Sequence, residues 1–176
     1  MWGDPMFGLD ILSMYWVNGD FDDPHDLCLH GDVLVAIGGE THGYAATVSA
    51  AGLFLLRSVS EDHLIGSGHH MLPCCGHFMI ANDAIDAVDI IECSEGMDWS
   101  VIHSGDTVQI TSEGGQMADM SLSEYAKTVL LFTRKVEEFY GVCSPKILPE
   151  DQNEQNAYVA FWKEWHRRTQ AAQSCV

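Results

Sequence analysis

Short apolar runs separated by turn residues fill the first two thirds of the chain, and the hydrophobic period then lengthens to that of a helix. Ile11 to Val17 is an apolar and aromatic run, and Val33 to Ile37 is a short buried-strand pattern ended by Gly38-Gly39. Tyr44 to Ser49 and Leu53 to Ser58, parted by Ala50-Ala51-Gly52, read as the two arms of a hairpin. Val88 to Cys93, Trp99 to His103 and Thr107 to Thr111 follow one another across Gly-containing turns and predict an antiparallel meander. In the last of them Thr107, Gln109 and Thr111 alternate with Val108 and Ile110, the period of a strand with one face in the core and one in water.

The change to helix is marked by Ser121-Leu-Ser-Glu124, a capping box in which the serine hydroxyl and the glutamate carboxylate each satisfy a backbone N–H of the first turn. Leu122, Tyr125, Ala126, Val129, Phe132 and Val136 then recur at three and four, an apolar stripe on one helical face. Gly141 reads as the stop, Pro145 and Pro149 bracket a linker, and Tyr158, Phe161, Trp162 and Trp165 place a last helix over about Glu154 to Thr169. The expectation is one α+β domain over residues 1–176. Its β-rich part, 1–120, is an antiparallel sheet, and its helical part, 121–170, contributes two C-terminal helices packed on it.

Charge changes the picture more than length does. Residues 1–126 carry 20 Asp and Glu against Arg57 alone, while the rest of the chain is nearly balanced, and the formal net charge is −18. With 47% hydrophobic residues the 176-residue chain is long enough for a substantial core, so the acids belong to a folded surface and not to a disordered tail. Such a surface excludes nucleic acid and anionic membrane as partners, because both need Lys and Arg to displace counterions or meet headgroups. Its natural complement is a cationic protein. The opening Met1-Trp-Gly-Asp-Pro-Met-Phe-Gly8 has neither the basic nor the apolar region of a secretory leader, and no stretch approaches the roughly 20 apolar residues of a membrane span. A cytoplasmic protein is therefore expected. Six cysteines, two of them adjacent, suit reduced thiols better than a disulfide framework.

Three places carry side chains with chemical potential. His69-His70-Met-Leu-Pro-Cys74-Cys75-Gly-His77 gathers imidazoles and thiols, and a zinc site or a thiol nucleophile would draw on His69, Cys74, Cys75 and His77. The spacing has no C-x2-C or H-x3-H pair, and no Lys or Arg stands near to favour a thiolate, so no cofactor and no enzyme activity are expected. Asn18-Gly-Asp-Phe-Asp-Asp-Pro-His-Asp26 places Asp20, Asp22, Asp23 and Asp26 on one loop. It fails the EF-hand pattern at the required Gly and the closing Glu, but converging carboxylates suit Arg and Lys of a partner. Glu92, Glu95 and Asp98 form a second acidic cluster, with Trp99 as a candidate aromatic anchor.

The acid excess, the strand-first order, the stretch Leu72-Pro-Cys-Cys-Gly-His-Phe-Met-Ile-Ala-Asn82, the run Asp98-Trp-Ser-Val-Ile-His-Ser-Gly-Asp106 and the end Ala160-Phe-Trp-Lys-Glu-Trp-His-Arg-Arg168 together resemble small bacterial immunity proteins. These protect a cell against polymorphic toxins, including those of contact-dependent growth inhibition. The resemblance implies a cofactor-free cytoplasmic protein that binds and blocks one cognate toxin domain, often a nuclease, and it carries no catalytic residue with it. Two other readings stand beside it: the zinc or thiol enzyme centred on His69 to His77, and an acidic adaptor whose Trp162 and Trp165 pack on another chain.

Overall fold

The computed structural model describes residues 6–176; the opening residues 1–5, which form most of the start read above for a leader, lie outside the described residues. Three strands, β1 (Phe7–Tyr15), β2 (His30–Ile37) and β3 (Glu40–Thr47), form an antiparallel sheet in that order. Gly38 and Gly39 have φ of 58° and 88° and close the two-residue turn that pairs Ile37 with Glu40. That turn needs positive φ at both positions, because only then does its twist match the strands it joins.

The chain then enters helix α1 (Val48–Ser58), so the second arm of the expected Tyr44–Ser58 hairpin is a helix. Every residue from Val48 to Leu56 is buried. A helix apolar on all sides sits in the middle of a domain, and a short apolar run lacks the period that would tell it from a buried strand. Further along, β4 (Leu72–Pro73) pairs with β7 (Gly96–Met97), and β5 (Phe78–Ala81) pairs with β6 (Val88–Ile91). A meander follows, with β8 (Trp99–Ser104), β9 (Thr107–Ser112) and β10 (Met117–Ser121) in the order β10-β9-β8. The meander was expected one strand too early: the Val88 run pairs back onto Phe78–Ala81 and not onto the Trp99 strand. It stops at Ile91, opposite Phe78 where β5 begins, and the Glu92 carboxylate beyond it accepts the backbone N–H of His70. Val108 and Ile110 are buried while Thr107 and Gln109 face water, as the alternation predicts.

Helix α2 (Leu122–Val142) opens on the full capping box of Ser121 and Glu124. It runs through Gly141 to Val142, so that glycine is no stop. Helix α3 (Gln152–Gln173) starts two residues before the expected Glu154, where the Asp151 carboxylate accepts the N–H groups of Asn153 and Glu154. The architecture is α+β, with antiparallel sheets mostly in the first two thirds and two C-terminal helices, and with α1 as a third helix at its centre. The α1–α3 contact is close, since a Cβ on Gly52 would lie 2.3 Å from the Trp165 ring. Beside it Glu164 receives both Nε and an Nη of Arg57 at 2.8 and 2.9 Å, and the N–H of Val88 at 3.0 Å. The one basic residue of the first 126 is thus spent on an interior pair that joins α1, α3 and β6. Among the described residues no helix is long and apolar enough to cross a membrane.

Candidate functional site

The acidic loop is held by its own carboxylates. Asp26 accepts the N–H groups of Val17 and Cys28 at 2.9 and 3.0 Å, and Asp23 accepts His25 N–H at 2.9 Å and the Asn18 amide at 2.8 Å. Asp22 accepts Ser144 N–H at 2.8 Å, and hydrogen bonds from Ser144 hold it below the usual carboxylate range. Lys146 donates to the Asp23 carbonyl oxygen at 2.7 Å while its ammonium lies 3.1 Å above the Trp16 ring. Asx turns of this kind shape a loop that lacks regular structure. Asp20 remains exposed, and Asp22, Asp23 and Asp26 are half-buried.

The second predicted cluster comes apart. Trp99 is fully buried, as is most of Asp98, so neither can meet a partner, and Glu92 is turned inward against His70. Only Glu95 of that set is exposed. The reason is local: Asp98 is a hub that accepts His63 Nε2 at 2.8 Å and the N–H groups of Trp99, Met71 and Gly66 at 2.9, 3.2 and 3.3 Å. Burial alone would raise its pKa, but the His63 hydrogen bond and charge together with the Met71 and Gly66 N–H donors outweigh burial and lower it. Ser67 Oγ lies 3.3 Å from His63 Nδ1, which completes a Ser67–His63–Asp98 chain with the connectivity of a nucleophile, base and orienting acid. Asp98 already collects three backbone donors, however, and His63 itself pairs through its backbone with Val101 in both directions. The arrangement pins the 63–71 loop onto β8, and its polar atoms are occupied in doing so.

The residues of the alternative metal site do not converge. His69 stacks on Phe54 with ring centroids 4.1 Å apart, and burial pulls its pKa down to about 4, so it is a neutral packed ring near pH 7. Cys74 and His77 are exposed, and Cys75 is half-buried against Cys93. Among the described residues no group of three or more His, Cys, Asp and Glu side chains is placed to hold a metal ion. The aromatic helix of the adaptor reading is internal too: Trp165 is fully buried, and Trp162 packs edge-on against Tyr140 and Phe161.

What the structure adds is an apolar face that no described residue covers. In β5 and β6, Met79, Ala81, Val88 and Ile90 turn inward, and α3 packs against β5. Phe78, Ile80 and Ile91 point outward and are 55, 51 and 45% exposed. Phe78 pairs across with Ile91, and Ile80 with the exposed Asp89. A groove of about 610 Å³ runs between β5 and the start of α3, edged by Asp83, Asp151 and Glu154. A second hollow of about 270 Å³ shares Phe78, Met79 and Glu154 with it and continues to His25 and Asp26 of the acidic loop. Among the described residues no Lys or Arg lines either one. Most of the molecule's cations are already engaged: Arg57 and Arg168 by Glu164, Lys135 by Asp10, Arg167 by the Asp86 carbonyl in the turn of the same hairpin, and Lys146 by the acidic loop. The sequence offered one signal for this face, the unbroken apolar run Phe78 to Ala81 ahead of the acid at Asp83, but nothing in it says which side chains α3 leaves uncovered.

No family model, curated protein or solved structure matches the chain.

Proposed function

We propose that the protein is an immunity protein that binds a cognate basic toxin domain, a nuclease, and covers the surface with which that domain takes up phosphate. The docking face is the outer side of β5 and β6 with the adjoining groove, continued by the acidic loop from Asp20 to Asp26. The observation that carries this reading is the exposed Phe78, Ile80 and Ile91 set among Asp83, Asp89, Asp151 and Glu154, with no Lys or Arg among the described residues that line the groove. An apolar centre inside a charged rim is the anatomy of a protein interface, and an uncovered apolar patch on a folded protein marks a binding surface. The rim's sign selects the partner, because a nuclease presents Lys and Arg to phosphates and carboxylates compete for the same side chains. Complementary potentials also lift association toward 10⁸ to 10⁹ M⁻¹s⁻¹. An antidote that must outrun its toxin needs that speed.

The test is binding to the inactivated basic toxin domain encoded beside the protein, measured at low and high salt. Association should slow as salt rises, since exposed charges are screened over about 8 Å at physiological ionic strength. Ile80→Asp and Phe78→Ala should each cost about 2 kcal/mol, or about 30-fold in Kd, as central anchors do. Salt-independent association together with unchanged affinity in both variants would remove the proposal.

A further inference from the structure

The neck of the β5–β6 hairpin holds three cysteines that two separate segments bring together. Pro73 of β4 pairs with Gly96 of β7, and the Cys74 N–H donates to the Glu95 carbonyl at 3.1 Å. On the other side of the neck Phe78 pairs with Ile91. Between these two fixed pairings the Cys93 N–H donates to Cys75 Sγ at 2.9 Å, and the Cys93 thiol lies 3.7 Å from the Glu95 carbonyl oxygen that also receives the Cys74 N–H. Because the backbones are already held side by side, joining two of these sulfurs demands little movement of either chain. All three are free thiols here.

We propose that Cys75 and Cys93 are a peroxide-reactive pair whose disulfide staples the base of the β5–β6 hairpin. The Cys93 thiolate attacks one oxygen of a peroxide; the O–O bond breaks, hydroxide leaves and Cys93 becomes a sulfenic acid. The Cys75 thiolate then attacks the Cys93 sulfur, the S–O bond breaks, and with the two released protons the balance is two thiols and one hydrogen peroxide giving one disulfide and two waters. The roles follow from surroundings. Cys93 lies below the ordinary thiol range, chiefly because the Cys75 thiol hydrogen-bonds to it, whereas burial raises Cys75. These surroundings favour Cys93 as the thiol that meets the oxidant and Cys75 as the one that resolves it, and the Cys93 N–H on Cys75 Sγ at 2.9 Å keeps the two within reach. Adjacent Cys74 and Cys75 are poorly placed to join each other, which leaves Cys93 as the common partner.

The closed loop, residues 75–93, contains the whole of β5 and β6. Whatever docks on Phe78, Ile80 and Ile91 would meet a hairpin with fewer open conformations once the staple forms, and the chemistry itself does not depend on the identity of that partner.

The experiment uses the full-length reduced protein and a small excess of hydrogen peroxide. The intact mass should fall by two hydrogens. Between the two cysteines lie Asp83, Asp86 and Asp89 and no Lys or Arg, so digestion at aspartate should yield a peptide from the Cys75 side linked to one from the Cys93 side. Cys74→Ser should still form the link, and Cys75→Ser should not form it while keeping its unfolding midpoint. Amide exchange over residues 78–91 should slow in the oxidised protein and not in oxidised Cys75→Ser. Sulfinic acid at Cys93 without a cross-link, a link to Cys74 in the unmodified chain, or unchanged exchange over the hairpin would each overturn the proposal.

Discussion

Helix α1 and the β5–β6 hairpin are both rich in apolar side chains, yet the molecule treats them in opposite ways. Around α1 every apolar surface has a cover, down to Gly52 lying under the Trp165 ring, and the one charged end, Arg57, is answered by Glu164. On the outer face of the hairpin Phe78, Ile80 and Ile91 stand exposed among the described residues, and none of those lining the groove beside the acids is Lys or Arg. A fold that closes one apolar element so thoroughly has not left the other open for want of material. The first region is spent on stability, and the second is stability withheld. An uncovered patch gains free energy only when another surface removes it from water, at about 25 cal/mol per Å² before the costs of association.

The contrast breaks most visibly at its interior end. Removing the Glu164 carboxylate as Glu164→Ala leaves Arg57 buried beside α3 without its bidentate partner and orphans the Val88 N–H. Loss of one member of a buried pair typically costs 3 to about 5 kcal/mol, a large share of the roughly 5 to 15 kcal/mol that holds a domain folded. Urea midpoints should fall accordingly, and a loss under about 1 kcal/mol would show the pair to be solvated. Next in size is Gly52→Ala. A Cβ there would meet a rigid indole and not the free end of a flexible chain, so α1 and α3 must separate, at about 1 to 3 kcal/mol by the usual cost of overpacking. An unchanged midpoint would mean that α3 shifts freely over α1.

Legibility followed the same divide. The meander strands Trp99–His103 and Thr107–Thr111, and helices α2 and α3, could be read because each alternates or repeats between a core and a water side, and because the capping box at Ser121 is a local device. Helix α1 could not, since burial on every side erases the period that separates helix from strand. The acidic loop was visible as composition, but the sequence does not say that Asp22, Asp23 and Asp26 are engaged by backbone N–H groups. Asp98 and Trp99 looked like a surface pair for the same reason: a carboxylate shows its charge in the sequence and hides its donors. The apolar face was the hardest to see, because which side of Phe78–Ala81 lies open depends on where α3 packs, some 80 residues later in the chain.

Acid provides a smaller and graded test of the interior. The pKa values of Glu164 and Asp98 are both lowered in the fold; burial pushes each upward, and Arg57 for the one and His63 for the other more than offset it. A carboxyl with a depressed folded pKa contributes stability that is complete above its unfolded value of about 4 and is lost as pH falls through the folded one. His69, drawn down to about 4 by burial, acts in a higher window. The unfolded chain takes up its proton near 6.5 while the folded chain resists, so stability falls as pH drops from about 6.5 toward 4. His69→Leu should flatten that limb relative to the unmodified protein measured at each pH, which removes the common effect of the net charge. Identical slopes between pH 7 and 5 would place His69 in water.

The smallest expected effect is the most informative for the comparison. Ile80 is half exposed and sits opposite Asp89 on a face that no described residue covers, so Ile80→Ala should change the unfolding free energy by no more than about 0.5 kcal/mol, the range of surface substitutions. Set beside the several kcal/mol of Glu164→Ala, that near-silence would mean the hairpin's outer side chains contribute little to the fold they decorate. A loss of 2 kcal/mol or more would reverse the argument. Phe78, Ile80 and Ile91 would then form a satellite core that happens to border water, the case for a docking face would lose its motive, and the acids around it would revert to a means of keeping the protein in solution.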